Sequence, residues 1–353
     1  MNTTKNISYH EQMKINYTLQ LRELLTTLPS FCKDFFRALE PKTSAKTRIS
    51  YAYDLRVFFQ FLIDSNPIYS NQEIKDFKLI DLEKLTAVDI EEYQEYLKVY
   101  RTPDGKQVTN TEKGLARKLS SLRSFYKYYY KRELINYDPT LLVDGPKIHE
   151  KAIIRLETDE VSLLLDFVEN CGDSLEGQAK LYHDKTKHRD LAILTLLLGT
   201  GIRVSECVGL NLEDVDFKNN GIKITRKGGN ETTVYFGDEV EIALKNYLYN
   251  SRNMVIPLSS HEHALFLSTQ KKRMGIQAIE NMVKKYSKQV TPGKKITPHK
   301  LRSTYGTSLY KETGDIYLVA DVLGHKDVNT TKKHYAALDE ERKRNAANIV
   351  KLR

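Results

Sequence analysis

The sequence predicts a mainly α-helical protein of two domains, with a small antiparallel β-sheet in the second. Apolar residues recur at helical spacing through most of the chain, Pro and Gly residues interrupt that spacing near the middle, and one later segment alternates around a tight turn. The length of 353 residues suits two domains, and a hydrophobic fraction of 40% is sufficient for a real core.

The first domain, residues 1–145, is predicted to be helical. "LQLRELLTTLPSFCKDFFRAL" contains one or two helices, and "PKTSAKTRISYAYDLRVFFQFLIDS" contains another, with Thr43 or Ser44 as its N-cap. Thr86 is placed to cap the helix in "TAVDIEEYQEYLKVY", and "NTEKGLARKLSSLRSFYKYYYKREL" forms the last one. The apolar rows of these helices face a core, and basic residues cover their other surfaces.

Pro139, Gly145 and Pro146 break the helical periodicity, so residues 146–156 are predicted to be an interdomain linker. The second domain, residues 157–353, begins with the helices "ETDEVSLLLDFVEN" and "HRDLAILTLLLG". The second of these is almost entirely apolar and should be central, whereas the polar residues 170–187 between them are typical of a surface insertion. "GIKITRKGGNETTVYFG" indicates two strands around a Gly-Gly-Asn turn, and helices follow to the C-terminus.

The formal net charge of +9 favours a polyanionic partner, most often nucleic acid, although a soluble protein of lysine-rich composition is the alternative. Cys32, Cys171 and Cys207 lack paired spacing, which argues against disulfides and against a cysteine-based zinc site. The N-terminal segment has no apolar h-region, and no run approaches eighteen apolar residues. We therefore expect a cytoplasmic protein without a signal peptide or membrane span.

Four places in the second domain put polar groups at special backbone positions. In "GTGIRVSECVGL", Arg203 lies where a turn becomes a helix, and Glu206 is one turn later, where it can orient the arginine or cap the helix. In "ITRKGGNE", Lys227 lies at the tip of the predicted hairpin. Taken alone, these residues also fit an ordinary surface ion pair and a solvated lysine.

The other two places are nearer the C-terminus. In "ITPHKLRSTYGTSLY", His299 and Arg302 are three residues apart on one helix face, after a capping Thr297. In "LVADVLGHKDVNTTKKHYAAL", a helix ends at Leu323, Gly324 serves as its C-terminal cap and His325 follows. A new helix is predicted to start at Thr330 and to carry Tyr335, which alone would be one of 22 ordinary tyrosines.

Together these groups match the needs of phosphodiester cleavage without a metal. A tyrosine phenol can attack phosphorus, two arginines can meet the charge on the non-bridging oxygens, and a lysine can protonate the leaving 5′-oxygen. The histidines can bind the phosphate or assist removal of the phenolic proton. His299, His325 and His334 show no helical ligand spacing, and the sequence has no nucleotide-binding loop. We therefore expect neither metal nor cofactor.

The segments "TGIRVSECVGLNLEDVDF", "TRKGGNETTVYF", "TPHKLRSTYGTSLY" and "LGHKDVNTTKKHY" resemble, in order and spacing, the signature boxes of the tyrosine recombinases. The sequence is most similar to the Xer and phage-integrase branch, including the single-recombinase Xer type of Gram-positive bacteria. "TSAKTRISYAYDLRVFFQFL" and "KGLARKLSSLRSFYKYYY" resemble the helical, SAM-like core-binding domain of that family. One departure is Ser303, where many relatives have His directly after the second-box arginine.

The resemblance implies a role for each site residue. Arg203 and Arg302 would clamp the scissile phosphate, Lys227 would be the general acid, and His299 and His325 would fill the two histidine positions. Tyr335 would be the nucleophile that forms a 3′-phosphotyrosyl bond, and Glu206 would support the first arginine. Ser303 occupies a supporting position, so the resemblance does not imply loss of activity.

The family fold implies a two-domain, C-shaped clamp around duplex DNA and a homotetramer acting on two sites. The basic amphipathic tail "LDEERKRNAANIVKLR" would dock into a neighbouring protomer. Accessory DNA-binding proteins are compatible with this assignment. The residues expected to contact DNA in the first domain lie on basic helix surfaces: Lys46, Thr47, Arg48, Arg117, Lys118 and Ser121.

Two other functions remain open at this point. One is a non-catalytic DNA-binding protein on the same scaffold, against which the six retained polar positions argue. The other is a type IB topoisomerase, which shares the chemistry but relaxes DNA alone. The sequence does not identify the DNA site, and it leaves both chromosome dimer resolution and movement of an integrated element open as biological roles.

Overall fold

A computed structural model describes residues 8–149, 153–226, 228–325 and 328. The chain divides into two compact units, Met1–Lys151 and Ala152–Arg353, and this division falls within the predicted linker. Within the described ranges, no helix combines the length and the apolar character that crossing a membrane requires.

The described part of the first unit is helical, with one short hairpin. Its helices are α1 Tyr9–Leu25, α2 Cys32–Leu39, α3 Ala45–Ser65, α4 Leu79–Glu83, α5 Ala87–Tyr96 and α6 Glu112–Tyr130. The hairpin pairs β1 (Val99–Arg101) with β2 (Gln107–Thr109) in antiparallel register. Sequence analysis missed this hairpin, whose strands have only three residues each and whose turn contains Gly105 at φ +79°.

The helix starts in this unit follow from local side-chain chemistry. Ser44 is the N-cap of α3, and its hydroxyl accepts from the Thr47 N–H at 3.2 Å. Thr86 is the N-cap of α5, where the Asp89 carboxylate accepts from the Thr86 N–H at 2.7 Å. The predicted caps Ser44 and Thr86 are therefore confirmed, whereas Thr43 lies one residue before the cap.

Aromatic rings dominate the core of the first unit. The Phe125 ring centroid lies 5.2 Å from that of Phe35 and 5.1 Å from that of Tyr129, both in edge-to-face geometry. The Tyr129 hydroxyl is satisfied as a donor to the Phe31 carbonyl at 2.8 Å. The apolar row predicted for the last helix of this domain is therefore its core face.

A buried carboxylate joins α3 to α6. Asp54 is 2% exposed and accepts hydrogen bonds from Arg117 Nη2 at 2.7 Å, Lys118 Nζ at 3.2 Å and Ser121 Oγ at 3.1 Å. Burial of a charge is tolerated only with such pairing. Three residues of α6 thus form a structural cluster around Asp54 of α3: Arg117, Lys118 and Ser121.

This cluster corrects part of the predicted DNA-contacting surface. Lys118 and Ser121 are buried against Asp54, and Arg48 is buried with an ion pair to Glu40 at 3.2 Å. Lys118 and Ser121 use their donors inside the protein and the Arg48 side chain is buried, so these three residues do not form an exposed basic surface. The prediction of DNA contact therefore remains for three residues that keep exposed surface: Lys46, Thr47 and Arg117.

The second unit packs helices around α8 and carries the larger sheet. Its helices are α7 Thr158–Asn170, α8 Gly177–Thr200, α9 Val204–Gly209, α10 Asp238–Asn250, α11 Ile276–Val290, α12 Pro298–Thr313 and α13 Ile316–Leu323. The antiparallel sheet has the order β3 (Val215–Asp216), β4 (Gly221–Thr225) and β5 (Glu231–Tyr235). The predicted hairpin is β4–β5, with Ile222 opposite Val234.

The predicted insertion at residues 170–187 is wrong as a separate surface segment. Most of it is the first half of α8, a single 24-residue helix whose second half is the apolar, buried segment. His183 from this stretch is itself buried, and its Nδ1 lies 3.5 Å from Cys171 Sγ. The polar composition hid the helix because its exposed side is long and charged, while the central position of the apolar half was predicted correctly.

Replacing Asp54 by Ala should strongly destabilise the first unit. Lys118 would remain buried without its counter-ion, so we expect the free energy of unfolding to fall by about 3 kcal/mol in urea titrations followed by circular dichroism. The matched control is Asp34→Ala, which removes an exposed ion pair to Arg37 and should cost less than about 1 kcal/mol. Equal losses for the two variants would contradict the structural role of Asp54.

Candidate active site

The site begins at the turn that ends α8. Gly201 adopts a left-handed conformation, with φ +63°, and its N–H donates to the Leu197 carbonyl at 3.1 Å. A Cβ atom added here would lie 2.4 Å from a Tyr305 ring carbon and 2.9 Å from a Leu323 methyl. Only glycine therefore allows α8 to approach α12 and α13 this closely.

Arg203 is the N-cap of α9, directly after this turn. Its backbone N–H donates to Glu206 Oε2 at 2.7 Å, and its Nη1 donates to Glu206 Oε1 at 2.9 Å. Glu206 is 3% exposed, whereas the Arg203 side chain is one-third exposed. One carboxylate thus accepts hydrogen bonds from both the backbone N–H of the N-cap residue and the guanidinium, so the two arrangements that the sequence offered as alternatives occur together.

Arg302 comes to the same place from α12. Thr297 is the N-cap and Pro298 the first residue of this helix, as the sequence predicted. Arg302 is buried; its Nη1 donates to the Gly201 carbonyl at 2.5 Å, and its Nη2 contacts the Leu323 carbonyl. Arg302 thereby links the α8 turn to the end of α13.

A third arginine, Arg226, reaches the same helix end and was missed by sequence analysis. Its Nη1 donates to the Leu323 carbonyl at 2.6 Å and its Nη2 to the Val322 carbonyl at 2.8 Å. A signal for it exists in β4. Side chains alternate along a strand, so Arg226 follows the buried Ile222 and Ile224 at the same spacing.

The end of α13 is thus an acceptor for several guanidinium groups. Gly324 has φ +62°, and the N–H of His325 donates to the Ala320 carbonyl at 2.8 Å, which closes the helix as predicted. Arg203 Nη2 lies 3.5 Å from the Gly324 carbonyl, a marginal hydrogen bond. Carbonyl oxygens at a helix C-terminus carry partial negative charge, which attracts cations.

Charge around these arginines is only partly compensated. Burial lowers the pKa of the Arg226 guanidinium; the Glu206 carboxylate opposes this effect and the Arg203 charge adds to it. Arg203, Glu206 and Arg226 therefore lie close enough to influence one another's charge, and we treat them as one group. Backbone carbonyls satisfy their donors without cancelling their charge, so the group is suited to an anionic ligand.

The predicted histidines lie at the ends of the neighbouring helices. His299 is exposed in the first turn of α12, and Ser303 Oγ donates to its carbonyl at 3.1 Å. His325 is half-buried directly after Gly324. Although His299 and Arg302 are three residues apart on α12, the first is exposed and the second is buried.

Lys227 and Tyr335 lie outside the described residues, as do the helix predicted from Thr330 and the basic tail. Their predicted roles stay predictions. The structure describes Arg226 and Gly228 on either side of Lys227, and the Arg226 N–H donates to the Asn230 carbonyl across the turn. In the ranges that the structure describes, no group of three His, Cys, Asp or Glu side chains is arranged to hold a metal ion.

Replacing Gly201 by Ala should lower the free energy of unfolding by more than the left-handed backbone conformation alone would cost. A left-handed alanine costs about 1 kcal/mol, and overpacking against Tyr305 and Leu323 adds about 1–3 kcal/mol to the loss of unfolding free energy. Gly177→Ala is the matched control, because Gly177 has φ +57° and nothing within 4 Å of an added Cβ. Thermal or urea unfolding of both variants measures the difference, and equal losses would exclude the close packing at Gly201.

Comparison with known proteins identifies both units. Residues 155–342 match the phage integrase family, and residues 32–133 match the phage integrase N-terminal SAM-like domain. The tyrosine recombinase XerC of Caldanaerobacter subterraneus subsp. tengcongensis is 32% identical, over 98% of this chain and 89% of that protein. The tyrosine recombinase XerS of Streptococcus thermophilus is 32% identical, over 94% of this chain and 98% of its own length.

Solved structures agree on the fold. The XerH site-specific recombinase bound to palindromic difH substrate, a post-cleavage complex, has a TM-score of 0.67 at 20% identity and covers 95% of this chain and 88% of that one. Its pre-cleavage complex has a TM-score of 0.64 at 19% identity, over 98% and 91% of the two chains. With matching domains in both units and 32% identity over nearly the whole length, the chain belongs to the phage integrase family, the tyrosine recombinases.

Proposed function

We propose that this chain cuts and rejoins duplex DNA at a specific site, with Tyr335 as the nucleophile. The observation that supports this most strongly is the convergence of Arg203 and Arg302 on consecutive carbonyls, those of Gly324 and Leu323. Guanidinium groups that reach neighbouring oxygen atoms from two helices can bind the non-bridging oxygens of one phosphate.

The proposed reaction conserves the energy of the phosphodiester. The Tyr335 phenolic oxygen attacks phosphorus, the bond to the 5′-oxygen breaks, and a 3′-phosphotyrosyl ester forms. Lys227 protonates the leaving 5′-oxygen, and His299 and His325 bind the phosphate or assist removal of the phenolic proton. Attack by a 5′-hydroxyl of the partner strand reverses these steps, so the proposed cycle needs neither ATP nor a metal.

The proposed partners follow from the family and from charge. Double-stranded DNA is the substrate, the SAM-like unit provides part of the binding surface, and a homotetramer joins two sites with each tail docked in trans. Accessory proteins are compatible with this assembly. Since the substrate is chromosomal or element DNA, we place the protein in the cytoplasm. Both chromosome dimer resolution and the integration or excision of a mobile element fit this chemistry.

A suicide duplex tests the nucleophile. The duplex carries an inverted-repeat site that this chain enriches from a random library, with a nick beside the scissile phosphate. We expect a covalent protein–DNA adduct that survives denaturation and forms equally in EDTA. Tyr335→Phe should abolish it, because the phenyl ring has no attacking oxygen. The control, Tyr317→Phe on α13, removes a hydroxyl from a 71% exposed residue and should react normally.

Two outcomes would contradict the assignment. One is the absence of an adduct with the unaltered chain on its own selected site. The other is an adduct from Tyr335→Phe as abundant as that from the unaltered chain, which would place the nucleophile elsewhere.

Salt titrations test the DNA-binding surface. Lysine and arginine contacts to phosphate release counter-ions, so affinity should fall by about 10³-fold between about 50 and 200 mM salt. Lys46→Ala should reduce the slope of log affinity against log salt by about one, since Lys46 is exposed and predicted to contact a phosphate. Lys75→Ala removes another exposed lysine, one paired with Glu73, and should leave the slope unchanged. An identical slope for all three proteins would remove Lys46 from the interface.

A further inference from the structure

Arg226 has two structural roles, one through its backbone and one through its side chain. Its backbone closes the β4–β5 turn: the Arg226 N–H donates to the Asn230 carbonyl at 2.7 Å, and the Gly229 N–H donates to the Arg226 carbonyl at 3.0 Å. Its side chain leaves the sheet and donates to Val322 and Leu323 at the end of α13. The same residue is therefore the base of the turn and the anchor of that turn to a helix.

The anchor is tight at the helix end. A Cβ atom placed on Gly324 would lie 2.2 Å from Arg226 Nη1 and 2.5 Å from its Cζ, so the guanidinium lies directly on the Gly324 backbone. Leu323 shares its carbonyl between Arg226 and Arg302. A planar fork can bridge two successive carbonyls in this way, whereas a lysine ammonium cannot reproduce that geometry.

Lys227 is the next residue along the chain. Consecutive Cα atoms are about 3.8 Å apart across a trans peptide, so fixing Arg226 restricts where the lysine can begin. The two residues that follow, Gly228 and Gly229, have φ +107° and +91° and nothing within 4 Å of an added Cβ. An added side chain at Gly228 or Gly229 would thus meet open space, whereas Arg226, among the described residues of the turn, contacts the end of α13 directly.

We propose that Arg226 is a positioning residue, which ties the β4–β5 turn to the end of α13 and thereby restricts where the next residue, Lys227, can act. This inference rests on the proposed function, in which Lys227 delivers a proton to the 5′-oxygen as its bond to phosphorus breaks. Arg226 itself touches no reacting atom in this scheme. Its loss should therefore slow the steps that need the lysine proton more than those that do not.

A change of leaving group isolates that proton. An alkoxide requires protonation as it departs, whereas a thiolate, whose parent thiol has a pKa near about 8.5, departs without it. Two suicide duplexes of one sequence are therefore compared, one with the normal 5′-bridging oxygen and one with sulfur in its place. Loss of a well-placed general acid slows only the first.

We expect Arg226→Met to slow adduct formation on the oxygen duplex by about 100-fold and to leave the sulfur duplex within about 5-fold of the unaltered chain. Arg226→Lys keeps the positive charge but loses the planar guanidinium. Its rate on the oxygen duplex should lie between those of Arg226→Met and the unaltered chain. Lys227→Ala is the reference for complete loss of the acid and should show the same selectivity for sulfur.

Arg273→Met is the matched structural control. Arg273 Nη1 also donates to two carbonyls, Val208 at 2.9 Å and Leu210 at 2.7 Å, but it is not adjacent to Lys227. Its replacement should change the rates on both duplexes by the same factor. Equal slowing of the two duplexes by Arg226→Met, or no slowing of either, would overturn the positioning role.

A second measurement separates this inference from the proposed function. If the unaltered chain forms no adduct on either duplex, the proposed function fails, but the anchor is still tested by hydrogen exchange in the chain without DNA. Arg226→Met should speed exchange of the Gly324 and His325 amides by at least about 10-fold, and that of the α8 amides much less. Unchanged exchange at Gly324 and His325 would show that Arg226 does not hold the helix end.

Discussion

The rest of the site depends on the hydrogen bonds between guanidinium groups and the carbonyl groups at the end of α13. The last carbonyls of a helix have no further helical turn to pair with, and guanidinium groups from three separate segments approach those of Val322, Leu323 and Gly324. Arg203 comes from the start of α9, Arg226 from the end of β4 and Arg302 from α12. One helix end therefore sets the mutual positions of three elements that are far apart in sequence.

The helix end attracts cationic side chains for a physical reason, and their gathering there has a chemical consequence. The partial negative charge of the carbonyls favours guanidinium groups, yet it does not neutralise them as a carboxylate would. Glu206 is placed on one side of the cluster, where it holds Arg203 by two hydrogen bonds. The remaining charge is thus ordered in advance, and preorganised donors are what stabilises a developing anion.

The helical first unit shows why basic residues alone are a poor guide to a DNA-binding surface. Three of the six predicted contacts, Arg48, Lys118 and Ser121, are buried; the last two bind Asp54 and Arg48 pairs with Glu40. A lysine whose ammonium group binds an internal carboxylate stabilises helix packing and is not available to bind DNA at the surface. The periodicity of α6 could not reveal this, because the counter-ion comes from α3, more than sixty residues earlier.

Local chemistry in the sequence determined the helix boundaries at Ser44, Thr86, Thr297 and Gly324, the β4–β5 hairpin, and the positions of Arg203, Glu206, Arg302 and His325. These features depend on neighbours within a few residues, where capping, turn chemistry and periodicity act. Tertiary structure alone decided that Gly201 must lack a side chain, that the polar stretch before His188 belongs to α8, and that Arg226 joins the arginine cluster. Each of these contacts depends on atoms from distant parts of the chain, and strand alternation could indicate only on which side of β4 the Arg226 side chain lies.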